Sequence, residues 1–199
     1  MNPPNKPFVP WYEKYRVRLS FVYAALFLIY ARPGSLIFLA PGLMLAAFGI
    51  FLRQWAAGHI KKMNEVSQSG PYAMARHPLY VGSFIGALGC LIASLPYKNS
   101  SPFYSIQTLF IWILFFLLIR NIYIPKAKKE EENLTLKFGQ AYTAYAGQTP
   151  RFFPKNWENL KNFRETFQWD LWLRNQEFMS MIGLIFIAFL LISRYIHGN

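Results

Sequence analysis

The sequence predicts an all-α integral membrane protein with about five transmembrane helices. Of its 199 residues, 54% are hydrophobic and 19% are aromatic. The apolar residues are gathered into blocks, whereas a soluble helical core would show them at three- and four-residue spacing. The longer blocks approach the roughly 20 residues that a helix needs to cross the hydrocarbon layer. The blocks occupy residues 19–31, 35–52, 79–95, 105–124 and 178–193.

The blocks and the polar segments between them divide a single membrane domain into consecutive parts. Pro33 and Gly34 separate the first two blocks and favour a tight turn between two helices. Aromatic residues among charges after residue 155 are typical of a helix that lies in the headgroup region, although a helix packed on the cytoplasmic loops is an alternative. The last block is an additional anchor or an oligomer contact. The parts are a cytoplasmic N-terminus (1–18), a helical hairpin (19–52), a functional core (53–154), an amphipathic interfacial segment (155–177) and a C-terminal transmembrane helix (178–199).

The distribution of basic residues predicts the topology. All but three of the 21 lysines and arginines fall in the N-terminal segment and the two large polar segments, and the exceptions are Arg32, Lys98 and Arg194. By the positive-inside rule, the N-terminus and both polar segments should be cytoplasmic. The net charge of +12 is therefore a topology signal whose expected partner is anionic lipid, and we expect no nucleic-acid partner. We also expect no cleavable signal peptide, because no small-residue cleavage site follows the first block.

The cysteine and the histidines do not predict a metal site. Cys90 is the single cysteine, so an intramolecular disulfide is excluded and a buried thiol is expected. His59, His77 and His197 are far apart and show no metal-ligand spacing. We therefore predict that the chain holds no metal.

The segment after the fourth block predicts a polar helix at the membrane surface. Pro125 should kink the chain as it leaves the bilayer, and Gly147 should end the helix. The apolar face of this helix recurs at three- and four-residue steps through Leu134, Phe138, Ala141 and Tyr145.

The stretch GPYAMARHPLYVG, residues 70–82, carries more polar and aromatic residues than a loop between spans requires. A turn at Gly70 and a helix that begins at Pro78 explain its glycine and prolines. Tyr72, His77 and Tyr80 are left without a structural task, and their position at a helix N-terminus favours an anionic or zwitterionic ligand.

The complement is an acidic run at Glu130, Glu131 and Glu132, in a chain with only nine acidic residues. Lys–Glu pairs at four-residue spacing on a solvated helix face are the alternative explanation.

Taken together, the two segments resemble the isoprenylcysteine carboxyl methyltransferase and phospholipid methyltransferase superfamily. The motifs that carry the resemblance read GPYAMARHPLY, EENLTLKFGQAYTAY and PRFFP, and they lie within roughly residues 40 to 154. The resemblance implies a membrane enzyme that transfers a methyl group from S-adenosyl-L-methionine to a lipid or another lipophilic small acceptor in the membrane. It also implies a cytoplasmic cofactor site.

The resemblance implies specific site residues. Lys126 and Glu130 are the expected catalytic residues, and Lys126 stands where the prenylcysteine enzymes have an arginine. Because a lysine cannot hold a carboxylate through two parallel hydrogen bonds, Lys126 argues against a prenylcysteine acceptor held in a fixed carboxylate geometry, and the acceptor group can be a thiol, a carboxylate, an amine or a hydroxyl. The residues implied for cofactor binding are Asn64, Glu65, Val66, Ser67, Tyr72, His77, Pro78, Leu79, Tyr80 and Glu130.

Two alternatives belong to other functional classes. A membrane reductase of the sterol or enone type would use NADPH, and a non-enzymatic membrane protein would bind neither cofactor. Ligand-dependent thermal stability separates these alternatives, because a ligand that binds only the folded state must stabilise it.

Overall fold

A computed structural model of the chain describes residues 11–61, 64–96, 102–153 and 167–197, and every regular element in those ranges is helical. The all-α prediction is therefore confirmed for this part of the chain. Residues 1–10, Lys98 and most of the predicted interfacial segment lie outside the described ranges. The α-helices are α1 (Trp11–Tyr30), α2 (Leu36–Ala57), α3 (Pro78–Ala93), α4 (Pro102–Leu118), α5 (Ile124–Phe138), α6 (Gln140–Gln148), α7 (Trp169–Asn175) and α8 (Phe178–His197).

The expected five spans are not confirmed, because only three of the described helices are long and apolar enough to cross a membrane. These are α2, the continuous helix Pro102–Phe138 and α8, with hydropathies of 2.0, 2.0 and 2.1. The apolar part of α1 begins at Arg18, and α3 has 16 residues. Both are shorter than the roughly 20 residues of a full span.

The tightest helix pair in the described fold is α2 with α3, and its closeness depends on small residues. Gly42, Gly49 and Gly89 face the opposing backbone so closely that an added Cβ would clash with main-chain atoms of the other helix. Small residues of this kind let two helix backbones approach within a membrane, where van der Waals packing is a main source of association. Although α1 and α2 are consecutive, the helix that packs along α2 is α3, and α1 packs on α4.

The fourth apolar block continues from α4 into α5 through a π-helical turn, Ile119–Tyr123. In this turn the Ile124 N–H donates to the Ile119 carbonyl, five residues back. Pro125 follows directly, and a proline ring would clash with the carbonyl four residues earlier in a regular α-helix. The wider turn accommodates the proline.

The surface helix differs from the sequence prediction in its middle. The helix is interrupted at Gly139, which has a φ of 53° and separates α5 from α6. This left-handed backbone conformation is available to glycine at low cost. At the other end, α6 ends at Gln148, one residue after the predicted Gly147 and within the one or two residues by which helix boundaries vary.

The C-terminal part docks on the end of α2. The Gln168 N–H donates to the Gly58 carbonyl at 3.0 Å, and the Asn175 side chain donates to the Ala57 carbonyl at 3.0 Å. α7 and α8 are joined by a corner at Gln176, which has a left-handed φ of 54°. Thus α8 is attached to the core of its own chain, where it contacts α2 and α3.

Candidate functional site

Two backbone hydrogen bonds bring the distant sequence motifs together. The Arg76 N–H donates to the Pro150 carbonyl at 2.9 Å, and the His77 N–H donates to the Arg151 carbonyl at 3.1 Å. The start of α3 therefore lies against the segment that follows α6. The predicted turn at Gly70 is confirmed: its φ is 54°, and an added Cβ would meet the His59 ring at 2.7 Å.

The centre of the site is the carboxylate of Glu131, which forms hydrogen bonds with Arg151 and His77 and an ion pair with Arg76. The Arg151 guanidinium binds it through two nitrogens, with Nε to Oε1 at 2.8 Å and Nη2 to Oε2 at 2.6 Å. His77 Nε2 lies 3.0 Å from Oε1, and Arg76 Nη1 lies 3.2 Å from Oε2. We call Arg76, His77, Glu131 and Arg151 the carboxylate cluster. Its two-point arginine contact fixes the geometry more strongly than a single ion pair would.

Burial determines the charge state of His77 within this cluster. The imidazole is 5% exposed, and burial lowers its pKa even though Glu130 and Glu131 act in the opposite direction. A neutral imidazole with its proton on Nε2 donates to the Glu131 carboxylate. Arg151 has a raised pKa, chiefly because it is hydrogen-bonded to Glu131. The cluster thus combines one carboxylate with two guanidinium cations.

Three tyrosines pack beneath the cluster. Tyr72 is 6% exposed, and its carbonyl accepts a hydrogen bond from the Tyr145 hydroxyl at 2.7 Å. Burial raises the pKa of Tyr72, Tyr142 and Tyr145. These phenols therefore keep their protons at neutral pH, and Tyr145 acts as a donor that connects α6 to the 3₁₀ turn Gly70–Ala73.

The two expected catalytic residues lie next to Tyr80. The Tyr80 hydroxyl donates to Glu130 Oε2 at 3.0 Å, and Lys126 Nζ lies 5.8 Å from the centroid of the Tyr80 ring. The structure thus brings together Tyr80, Lys126 and Glu130. The Tyr80 ring also stacks at an angle on His77, with centroids 5.4 Å apart, which joins this group to the carboxylate cluster.

The remaining expected cofactor residues are divided between the site and a separate turn. Tyr72 lies in the 3₁₀ turn Gly70–Ala73, and Pro78 and Leu79 directly follow His77 at the start of α3. By contrast, Asn64 and Ser67 form hydrogen bonds with the Lys61 backbone, as Asn64 N to Lys61 O at 2.9 Å and Lys61 N to Ser67 Oγ at 3.0 Å. Glu65 pairs with the Lys61 ammonium, and Val66 is half-buried in the same turn.

A cavity of about 330 Å³ opens beside Tyr80, between α1, α3 and the α4–α5 helix. Phenylalanine and aliphatic side chains cover most of its wall, and hydroxyl groups supply its few polar atoms. A cavity of this size is within the usual range for small-molecule sites. The lining residues are Ser20, Tyr23, Tyr80, Val81, Ser83, Phe84, Ala87, Phe115, Leu118, Ile119, Tyr123, Ile124, Phe152 and Phe153.

Sequence reasoning gave no individual role to Glu131, Arg76 or Arg151, although all three lie within the quoted motifs. It selected Glu130, the neighbouring residue. Ala127 and Glu131, four residues apart on one helix face, are the two buried residues of α5, and the sequence does not show which face of α5 is buried.

No group of three or more histidine, cysteine, aspartate or glutamate side chains that could hold a metal ion occurs among the described residues. The acidic side chain at the centre of the site is bonded to arginines instead. The described site therefore has the chemistry of an ion-pair cluster beside an apolar cavity.

Two curated relatives carry names that refer to metal resistance. The nickel-cobalt-cadmium resistance protein NccN of Alcaligenes xylosoxydans xylosoxydans is 33% identical over 116 residues, which cover 57% of this chain and 47% of the relative. The cobalt-zinc-cadmium resistance protein CzcN of Cupriavidus metallidurans is 29% identical over 147 residues, which cover 71% of this chain and 62% of the relative. The matches thus span about half to three fifths of the relatives' lengths. No protein-family model and no solved structure matches the chain.

These relatives overturn the functional part of the sequence prediction. The resemblance to the prenylcysteine and phospholipid methyltransferases is wrong as an identification, and so is the expected methyl-transfer activity, because the similar proteins are named for metal resistance. The motifs that suggested the resemblance do come together in space, but what they build is the carboxylate cluster.

Proposed function

We propose that this chain is an integral membrane component of resistance to divalent transition metals. The observation that carries the proposal is its similarity to the two metal-resistance proteins, which extends over 57% and 71% of the chain. The name of NccN refers to nickel, cobalt and cadmium, and the name of CzcN refers to cobalt, zinc and cadmium. Cobalt and cadmium are common to both and are the first metals to test.

A role in resistance that involves a lipophilic molecule is supported by the cavity with an apolar wall that the described residues form. We propose that this cavity holds a membrane lipid or another lipophilic small molecule. The apolar part of the bound molecule would lie against Phe84 and Phe115, and its polar end would lie near the Tyr80–Glu130 hydrogen bond.

The orientation in the membrane is part of the proposal. The positive-inside rule puts the N-terminus and the polar segments in the cytoplasm. Arg76 and Arg151 belong to these segments, so the carboxylate cluster would face the cytoplasm. The ligand cavity would then open at the inner leaflet.

S-adenosyl-L-methionine binding stays a prediction. His77 and Glu131 are bonded to each other, and apolar side chains dominate the cavity wall beside Tyr80. A charged nucleoside would find few free polar groups there. Thermal unfolding of purified protein with and without the compound tests binding directly, since any ligand well above its Kd must raise the unfolding temperature.

The resistance role is tested by deletion and complementation. In the organism that carries the gene, deletion should lower the cobalt and cadmium concentrations that permit growth, and the wild-type chain should restore them. A complementing Glu131→Gln variant, matched for membrane abundance, should restore growth poorly. Unchanged growth of the deletion strain in all four metals would refute the proposed role.

The ligand role is tested by photo-crosslinking in lipid nanodiscs with a palmitate that carries a diazirine. Labelled peptides should map to α3 and α4 around Phe84 and Phe115, and Phe84→Trp should reduce labelling by filling the cavity. Leu117→Trp, at an exposed position of α4, is the matched control. Equal labelling of the wild type and both variants would show contact with bulk lipid only.

A further inference from the structure

The C-terminal part of α2 carries an arginine, Arg53, that bonds to two other parts of the chain at once. Arg53 Nε donates to Glu177 Oε2 at 3.1 Å, and Nη2 donates to the same oxygen. Arg53 Nη1 donates to the Leu79 carbonyl at 3.4 Å and to the Ser83 hydroxyl. One guanidinium therefore joins α2 to the residue before α8 and to the first turns of α3.

This ion pair is partly shielded from solvent. The side chains of Arg53 and Glu177 are 22% and 12% exposed. Removing one partner of a shielded pair leaves the other charge poorly solvated, whereas fully exposed pairs contribute little. The guanidinium uses all three of its nitrogens, an arrangement that lysine cannot reproduce with a single ammonium.

A second group of bonds holds the same corner of the C-terminal part. Gln54 Nε2 donates to the Glu177 carbonyl at 2.9 Å and to the Ser180 hydroxyl at 2.8 Å. The Gln54 amide oxygen accepts from Trp172 Nε1 at 2.6 Å. The α7–α8 corner is thus attached to α2 through Gln54 as well as through the Arg53–Glu177 ion pair.

The bonds of Arg53 to α3 connect it to the wall of the cavity. Leu79 directly precedes Tyr80, whose hydroxyl bonds to Glu130. Ser83 lies in the cavity wall beside Phe84. The two bonds from Arg53 to α3 therefore fix the turn that supplies one wall of the cavity.

We propose that Arg53 is a positioning residue that couples the docked C-terminal helix to the ligand cavity, through its simultaneous bonds to Glu177 and to the first turns of α3. The ligand part of this inference rests on the proposed function. If α8 is docked, Arg53 is held where it orients Tyr80 and Ser83. An occupant of the cavity and the docked α8 then stabilise each other, because coupling between two sites is reciprocal.

The test compares Arg53→Lys with the charge-swapped double variant, Arg53→Glu with Glu177→Arg. Both can keep an ionic contact between α2 and the start of α8, but neither supplies the guanidinium donors to the Leu79 carbonyl and Ser83. Amide hydrogen exchange is measured by mass spectrometry for residues 80–84 and for residues 178–182, and binding of the diazirine palmitate is measured by competition. Glu177→Ala removes the ionic contact between Arg53 and the residue that precedes α8.

In both variants we expect the amides of residues 178–182 to exchange as slowly as in the wild type and those of residues 80–84 to exchange faster. Palmitate should bind about tenfold more weakly, a loss of about 1.4 kcal/mol. Glu177→Ala should accelerate exchange in both segments. Wild-type exchange at 80–84 in Arg53→Lys and in Glu177→Ala would overturn the inference and leave the ion pair as an anchor of α8 alone.

The two proposals fail in different ways. If the wild type is not labelled in the cavity, the proposed ligand role fails, while hydrogen exchange still decides whether Arg53 positions α3. If the charge-swapped variant does not fold, Arg53→Lys carries the same comparison. Weaker palmitate binding at unchanged thermal stability separates positioning from a general loss of structure.

Discussion

Glu131 and Glu130 are adjacent, but the structure assigns them very different energetic roles. Glu131→Gln removes the negative charge from between Arg76 and Arg151 while it keeps the shape of the side chain. The Glu131 side chain is 10% exposed and that of Arg151 is 35% exposed, so the pair is shielded on one side only. Breaking a buried pair costs about 3–5 kcal/mol, and allowance for the exposed arginine lowers the expected loss to about 2–4 kcal/mol.

Glu130→Gln is the matched control, because it makes the same chemical change one residue away. Glu130 accepts one hydrogen bond, from Tyr80, at a half-buried position. Weakening such a bond costs about 0.5–1.5 kcal/mol. The neighbouring variants should therefore differ in stability by a clear margin.

The assay is thermal unfolding of each purified variant in one detergent, followed by intrinsic fluorescence. We expect Glu131→Gln to unfold about 5–10 °C below the wild type and Glu130→Gln to unfold within about 4 °C of it. A double variant of Glu131→Gln with Arg151→Gln should lose less than the sum of the single losses, because the two side chains contact each other. Equal losses for the two glutamates, or additive losses in the double variant, would refute the proposed role of Glu131 as the centre of the cluster.

Three further predictions concern other parts of the chain. Burial lowers the pKa of His77, so the unfolded chain binds the proton more readily and the stability of the fold should fall as the pH drops below about 6.5. The pH dependence of unfolding should be shallower in His77→Gln, and an unchanged slope would contradict the lowered pKa of His77. Gly89→Ala should destabilise the protein by about 1–3 kcal/mol, because the added Cβ meets the backbone of α2, whereas Gly183→Ala, with no atom within 4 Å of its added Cβ, should be tolerated in the same unfolding assay. In a variant without the native cysteine, an impermeant thiol reagent added to intact cells should label a cysteine placed at Lys98 and not one placed at Gln148, an exposed position at the end of α6, and the reverse labelling would invert the proposed topology.

The sequence determined the positions of the long apolar helices and of the turn at Gly70, because both depend on local chemistry. A block of apolar residues is helical in a membrane whatever it packs against, and a positive φ favours glycine at any position. The two motifs that carry the site were also visible as unusual local composition. The motifs alone did not determine the function, since the methyltransferase interpretation they suggested is contradicted by relatives named for metal resistance.

Only the tertiary structure decided which of two adjacent glutamates is buried. Successive helical residues point about 100° apart, so the choice between Glu130 and Glu131 depends on the rotation of α5 about its axis. The bonds of Glu131 to His77, Arg76 and Arg151 define that rotation in the folded chain. The Arg53–Glu177 contact joins residues 124 positions apart. No local pattern reports such a pair, because its partners become neighbours only when α8 docks on the end of α2.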